Sequence, residues 1–130
     1  MKKFSELGLS KELLKAIYDA GFQEPSEIQE KTIPLALAGR DIIGGSATGS
    51  GKTLAFATPI IEKLKPNQRI QALILTPTRE LAEQVSDSIK KFAVNKGLKT
   101  CSVYGGVDIG RQIRALSVVD VVVGTPGRIL

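Results

Sequence analysis

Short apolar runs that lack polar–apolar alternation, set between helix-like segments, constrain this chain more than any other feature. Ala72-Leu73-Ile74-Leu75, Thr100 to Tyr104 and Val118-Val119-Asp120-Val121-Val122-Val123 have strand length, and Asp41-Ile42-Ile43-Gly44-Gly45 reads as a further strand entering a glycine-rich turn. A strand wetted on one side alternates, whereas a continuous apolar run is covered on both faces. Between these runs lie helix signals. Ser10 can cap a helix running through Leu13, Leu14 and Ile17 to Ala20, with Gly21 as its stop. Ser26 and Gln29 have capping-box spacing and open a second helix, which Pro34 is expected to break or restart and Gly39 to end. Further helices are expected from about Lys52 to Leu64, from Pro77 and Thr78 through Leu81, Val85, Ile89 and Phe92, and over Ile109 to Leu116. The alternation predicts an α/β fold: a mostly parallel sheet flanked by helices on both faces. Repeats and low-complexity linkers are absent from the sequence.

Ligands of such sheets bind beyond the carboxyl ends of the strands. The loops after Ile43, Leu75, Tyr104 and Val123 are therefore the places to look, and each carries an unusual cluster. The first is Ser46-Ala47-Thr48-Gly49-Ser50-Gly51-Lys52-Thr53. Gly49 and Gly51 let the backbone curl so that its N–H groups point inward, and the helix that follows adds its positive end. Lys52 can reach the β- and γ-phosphates of a nucleotide, and the Thr53 hydroxyl can ligate Mg²⁺. The phosphate-loop pattern begins with Gly where this chain has Ser46, but its Gly-x-Gly-Lys-Thr heart is intact. The plain alternative is a glycine turn with an exposed lysine. Kinases, motors and GTPases share the pattern, so it points to a nucleotide and not to a reaction.

The 130 residues are 42% hydrophobic, enough for one domain that buries roughly two thirds of its unfolded surface. Lys and Arg number 18 against 13 acids, a formal charge of +5. That excess fits a phosphate-bearing partner, and equally fits ordinary surface charge. The single cysteine, Cys101, cannot form an internal disulfide and reads as a buried thiol in a reducing, cytoplasmic compartment. The start of the chain is not a signal core and no apolar run approaches membrane-spanning length, so a soluble protein is expected.

Gly21-Phe22-Gln23-Glu24-Pro25-Ser26-Glu27-Ile28-Gln29 narrows the nucleotide. Gln29 is first of all a capping-box residue. Its amide also offers an acceptor for the adenine N6 amino group and a donor for N7. Phe4 can stack on a base, although a lone aromatic near a terminus is more often packing. This segment resembles the Q motif of DEAD-box RNA helicases, and Ser46 to Thr53 resembles their motif I. Pro77-Thr78-Arg79-Glu80-Leu81-Ala82-Glu83-Gln84 matches motif Ia, Thr125-Pro126-Gly127-Arg128 matches motif Ib, and Gly105-Gly106 with Gln112 downstream resembles the glycine doublet between them. The motifs cover nearly the whole chain in the family's order.

The resemblance implies an incomplete N-terminal RecA-like ATP-binding domain over 1–130, with a helical Q-motif region over 1–40 and a phosphate-loop core over 41–130. It implies that Phe4 stacks on adenine, with Phe22 beside it, and that Gln29 reads the base. Ala47, Thr48, Gly49, Ser50, Gly51, Lys52, Thr53 and Leu54 would surround ATP and Mg²⁺, with Lys52 and Thr53 in catalytic roles and Thr53 as metal ligand. Pro77, Thr78, Arg79, Gly105, Gly106, Thr125, Pro126, Gly127 and Arg128 would contact single-stranded or duplex RNA through its backbone. Small residues, helix starts and arginines suit phosphate contact without base reading. Capping and the helix dipole account for Thr78 and Glu80 on their own, and Glu80 is given a structural role.

The family's motif II, Asp-Glu-Ala-Asp, does not occur in these residues, and Asp120, expected in mid-strand, is poorly placed to substitute. The later Ser-Ala-Thr motif and the second domain with its arginine finger are also missing. A fragment is expected, because the chain stops at Leu130 among apolar residues of a helix. Phosphoryl transfer depends on positioned metal, water and positive charge, so these residues alone are expected not to hydrolyse ATP. The family's later strands belong inside the same sheet, one of them beside the phosphate-loop strand. Without them an open edge is expected to drive self-association. Two other readings stand beside the helicase: a non-catalytic adenine-nucleotide or RNA-binding module, and another phosphate-loop enzyme such as a small-molecule kinase. Backbone contacts alone leave RNA and DNA undistinguished unless a 2′-hydroxyl is read.

Overall fold

Ser10 begins the first helix as its spacing from Leu13 suggests. In the computed structural model its hydroxyl accepts the Leu13 N–H, capping α1 (Lys11–Asp19). The structure describes residues 3–45, 51–66, 70–104, 110 and 118–129, in two compact units, Met1–Lys63 and Leu64–Leu130.

In the first unit, α1 presents Leu13, Ala16 and Ile17 to the interior. The Ser10 N–H donates to the Glu62 carboxylate on α3 (Lys52–Lys63), tying the start of one helix to the end of another. Helix α2 (Glu27–Leu37) runs through Pro34 rather than breaking there. The proline forfeits its own N–H bond to the carbonyl one turn back, and the neighbouring bonds, including Ala38 N–H to Pro34 O at 3.1 Å, hold the axis. Gly39 ends the helix with φ +87°, a conformation that side chains rarely adopt. Helices α2 and α3 pack together, with Ile33 from α2 and Leu54, Ala57 and Ile61 from α3 all buried. Each branched side chain of this kind contributes about 1.5–3 kcal/mol when fully buried.

The expected strand at Asp41–Gly45 does not form a ladder: residues 41–45 are exposed and pair with no strand among the described residues. A strand exists through a partner that takes its N–H and C=O groups, and no such pairing is made by this segment among the described residues. Ile43 is left completely exposed.

The second unit is built on three parallel strands, β1 (Ala72–Leu75), β2 (Thr100–Val103) and β3 (Val121–Gly124), in the order β1-β3-β2. Helix α4 (Arg79–Ala93) packs on β2 and β3, and a short helix α5 (Pro126–Ile129) follows β3. Central β3 is buried throughout, as a continuous apolar run predicts. Outer β1 is not: its burial alternates, with Leu73 and Leu75 53% and 55% exposed. The sheet is parallel and flanked by helices as expected, and alternate side chains of β1 remain exposed. Cys101 is half-buried rather than buried, and the burial it has pushes its thiol above the usual range. The helix expected over Ile109 to Leu116 lies outside the described residues, apart from Gly110, which is helical.

Asp120 is not in mid-strand. Residues 118–120 precede β3, and Asp120 serves as a clip at the amino edge of the sheet. It is 1% exposed. Its carboxylate accepts the Lys99 N–H at 3.0 Å and the Gln71 side-chain amide at 3.1 Å, while its carbonyl accepts the Gln71 N–H at 2.8 Å. One residue therefore registers β1 and β2 against β3. Its full engagement explains why it cannot serve as a free acid.

Candidate functional site

Gln29 is the best-defined member of the candidate nucleotide site. It lies in the first turn of α2 and is 2% exposed. Its Oε1 accepts the Ser26 N–H at 2.9 Å, which is the capping-box contact expected from the spacing. Its Nε2 donates to the Gly51 carbonyl at 3.1 Å, across a separation of 22 residues. Gly51 immediately precedes α3 and has φ +90°. A Cβ there would lie 2.4 Å from Gln29 Nε2 and 3.1 Å from Ser26 Oγ, so residue 51 is held to glycine both by its backbone and by the amide against it. The Q-like segment thus fixes the exit of the glycine turn. Those two bonds use one of the two hydrogens on Nε2 and one of the two lone pairs on Oε1.

Lys52 is exposed and Thr53 half-buried in the first turn of α3, where the helix presents its positive end, and Leu54 is buried beneath them. Ser46, Ala47, Thr48, Gly49 and Ser50 lie outside the described residues. Phe22 is partly exposed. Phe4 differs from the expectation. Its ring is fully buried and meets Tyr18 edge-on, with centroids 6.3 Å apart and planes at 82°, leaving no ring face open to a base. Packing accounts for it.

The second cluster gathers at the carboxyl end of the three-stranded sheet. Leu75 and Gly124 are register partners, and the Thr76 N–H donates to the Gly124 carbonyl at 2.9 Å, so the loops after β1 and β3 leave side by side. Buried Thr76 donates through its hydroxyl to the Thr78 carbonyl at 3.2 Å and shapes the turn into α4. Thr78 caps α4, its hydroxyl accepting the Leu81 N–H at 3.2 Å. Pro77, Thr78 and Arg79 are exposed, as are Pro126 and Gly127. The Thr125 N–H is already spent on the Val103 carbonyl at 3.0 Å, so only its side chain is available to a ligand. Gly105 and Gly106, and the side chain of Arg128, lie outside what is described.

Three residues that motif reading passed over join this cluster. Glu83, one helical turn beyond Arg79, accepts from the Ser102 hydroxyl at 2.6 Å and from the Tyr104 hydroxyl. The Arg79 guanidinium lies over the Tyr104 ring, 4.9 Å from its centroid. The bonds from Ser102 and then Tyr104 hold the Glu83 carboxyl below its ordinary range, and the bond to Glu83 raises the phenol of Tyr104. The available signal was the i,i+4 spacing of Arg79 and Glu83 on one helix face, with Ser102 and Tyr104 on one side of a strand.

A parallel sheet whose exposed loops gather at its carboxyl end, together with a positive-φ glycine directly before a helix that opens at Lys52, marks an α/β protein of the phosphate-loop kind. A family model described as DEAD/DEAH box helicase matches residues 26–130, and the chain belongs to that family. It is 52% identical over 132 residues to an ATP-dependent RNA helicase CshA of Listeria monocytogenes, covering 100% of this chain and 25% of the relative. It is 55% identical over 130 residues to a DEAD-box ATP-dependent RNA helicase CshA of Streptococcus pneumoniae, covering 98% of this chain and 25% of the relative. Among solved structures, a DEAD box protein of Methanococcus jannaschii superposes with a TM-score of 0.95 at 52% identity, over 98% of this chain and 36% of that one. Dbp5 of S. cerevisiae, bound to RNA and ADP BeF3, superposes with a TM-score of 0.89 at 37% identity, over 99% of this chain and 33% of that one. The chain spans about a quarter of the length of the curated relatives it matches. Membership sets aside the small-molecule kinase reading. Among the described residues, no helix is long and apolar enough to cross a membrane.

Proposed function

We propose that this chain is the ATP- and RNA-binding first part of an ATP-dependent RNA helicase that works in the cytoplasm. One observation carries the nucleotide half: the Gln29 amide reaches across to the carbonyl of Gly51, immediately before Lys52 and Thr53. An adenine seated at the free edge of that amide would then be sensed by the same side chain that fixes the phosphate turn. Lys52 would meet the β- and γ-phosphates, and Ala47 to Leu54 would enclose them. Thr53 would supply one oxygen to Mg²⁺, which suits an ion that keeps few protein ligands and takes most of the rest from phosphate and water. The described residues offer no acidic cluster for a metal, so the phosphates would hold the ion with Thr53. A share for Phe4 in base stacking would require its ring to leave Tyr18. The domain limits proposed are 1–40 for the Q-like region and 41–130 for the core.

For RNA, the exposed Pro77, Thr78 and Arg79 beside Pro126 and Gly127 support backbone contact at neighbouring strand ends, with Gly105, Gly106, Thr125 and Arg128 completing the track. Two helix starts there suit phosphate oxygens. The relatives are named RNA helicases and Dbp5 was solved with RNA, which supports RNA over DNA. These 130 residues contain no Asp-Glu-Ala-Asp cluster to position water, so their proposed role is to bind rather than to hydrolyse. A strand-displacement assay tests the reading. The complete protein should release a short RNA strand from a duplex with ATP and not without it. ATP-independent release, or none under either condition, would remove the helicase assignment.

A further inference from the structure

Arg79 is exposed at the start of α4, after β1, while Tyr104 directly follows β2, and β3 lies between those two strands. Their side-chain contact joins the residues that follow β1 and β2, the two strands that flank β3, at the carboxyl end of the sheet. A long cationic side chain at an exposed helix start samples many rotamers, and ordering it on binding costs free energy. Here the ordering is done in advance. Glu83 is held by Ser102 at 2.6 Å, the guanidinium rests over the Tyr104 ring at 4.9 Å from its centroid, and a hydrogen bond to Glu83 raises the Tyr104 phenol. We propose that Tyr104 and Glu83 are positioning residues that hold Arg79 at the carboxyl end of the sheet, ready for a phosphate of the bound RNA strand. This rests on the reading of Arg79 as an RNA-backbone contact and adds what makes that contact effective. Neither residue needs to touch RNA.

The test is a double-mutant cycle on the complete protein, read by fluorescence anisotropy of a labelled oligouridylate with a non-hydrolysable ATP analogue over a salt series. Arg79→Ala should weaken binding several-fold and flatten the slope of log K against log salt by about 0.7, the loss of one phosphate contact on a single strand. Tyr104→Leu should weaken it about two- to fivefold, the worth of an exposed cation–π contact. Tyr104→Phe and Glu83→Gln, which keep the ring or the shape, should fall between Tyr104→Leu and the unsubstituted protein, and carry the cycle if Tyr104→Leu does not fold. In an Arg79→Ala background all three should add nothing. Equal losses in both backgrounds would show a merely structural role and overturn the proposal, as would no loss in either. An Arg79→Ala protein that binds normally would remove the RNA-contact reading itself, and the positioning role with it.

Discussion

Replacing Gly51 with alanine tests whether the Q-like segment truly fixes the glycine turn. At φ +90° an alanine pays the left-handed penalty of about 1–2 kcal/mol. Its Cβ would lie 2.4 Å from Gln29 Nε2 and 3.2 Å from Gln29 Cδ. The amide is the tip of a flexible side chain, but it is buried and held at both ends, by the Ser26 N–H at 2.9 Å and the Gly51 carbonyl at 3.1 Å. Retreat breaks at least the second bond, at about 0.5–1.5 kcal/mol. The expected loss for Gly51→Ala is about 2–4 kcal/mol of unfolding free energy, measured by urea denaturation with an unchanged m-value. Gln29→Ala removes the obstructing amide. The double variant should therefore be more stable than the sum of the single losses allows, by about 1 kcal/mol. A Gly51→Ala loss under about 0.5 kcal/mol, or a cycle additive to within about 0.5 kcal/mol, would refute the coupling.

Asp120→Ala should destabilise the sheet unit by about 2–5 kcal/mol, because hydrogen bonds to a buried carboxylate contribute about 1.5–3 kcal/mol each, and Asp120→Asn should cost less; denaturation of each variant checks the order. Glu83 has its folded pKa depressed by Ser102 and Tyr104, so its contribution is complete above the ordinary carboxyl range and is lost as pH falls through the depressed value. The stability difference between the natural chain and Glu83→Gln should accordingly vanish on acidification, and a gap that persists or widens in acid would contradict it. Exposed Leu73 and Leu75 on outer strand β1 should drive concentration-dependent self-association of the 130-residue chain, visible by light scattering; a strictly monomeric species at high concentration would contradict this.

The parts of the fold legible in sequence were those fixed by local chemistry. Ser10, Ser26 with Gln29, Thr78 and Gly39 set helix ends through groups a few residues apart, and the structure places each where its spacing says. Failures came where the answer lies far along the chain. The Asp41–Gly45 segment has strand composition but no described partner, and a strand is defined by its neighbour. Val118 and Val119 extend an apolar run, yet the ladder begins at Val121 because Asp120 turns its carboxylate to Lys99 and Gln71. The site divides in the same way. Gly51, Lys52, Thr53 and Arg79 are visible as a motif, whereas the Gln29 bond to Gly51 and the Glu83–Tyr104 support of Arg79 join segments that no spacing rule connects. Phe4 is offered to a base by the resemblance, and in this structure its ring is buried edge-on to Tyr18.

Equilibrium titration with Mg²⁺ and a fluorescent ATP analogue measures directly whether the glycine-rich segment before Lys52 grips a triphosphate. The natural chain should saturate at one nucleotide. Lys52→Ala, which removes a charged contact with about 1.5–3 kcal/mol behind it, should bind at least about tenfold more weakly. Identical isotherms for the two proteins, or no saturable binding by the natural chain, would contradict it.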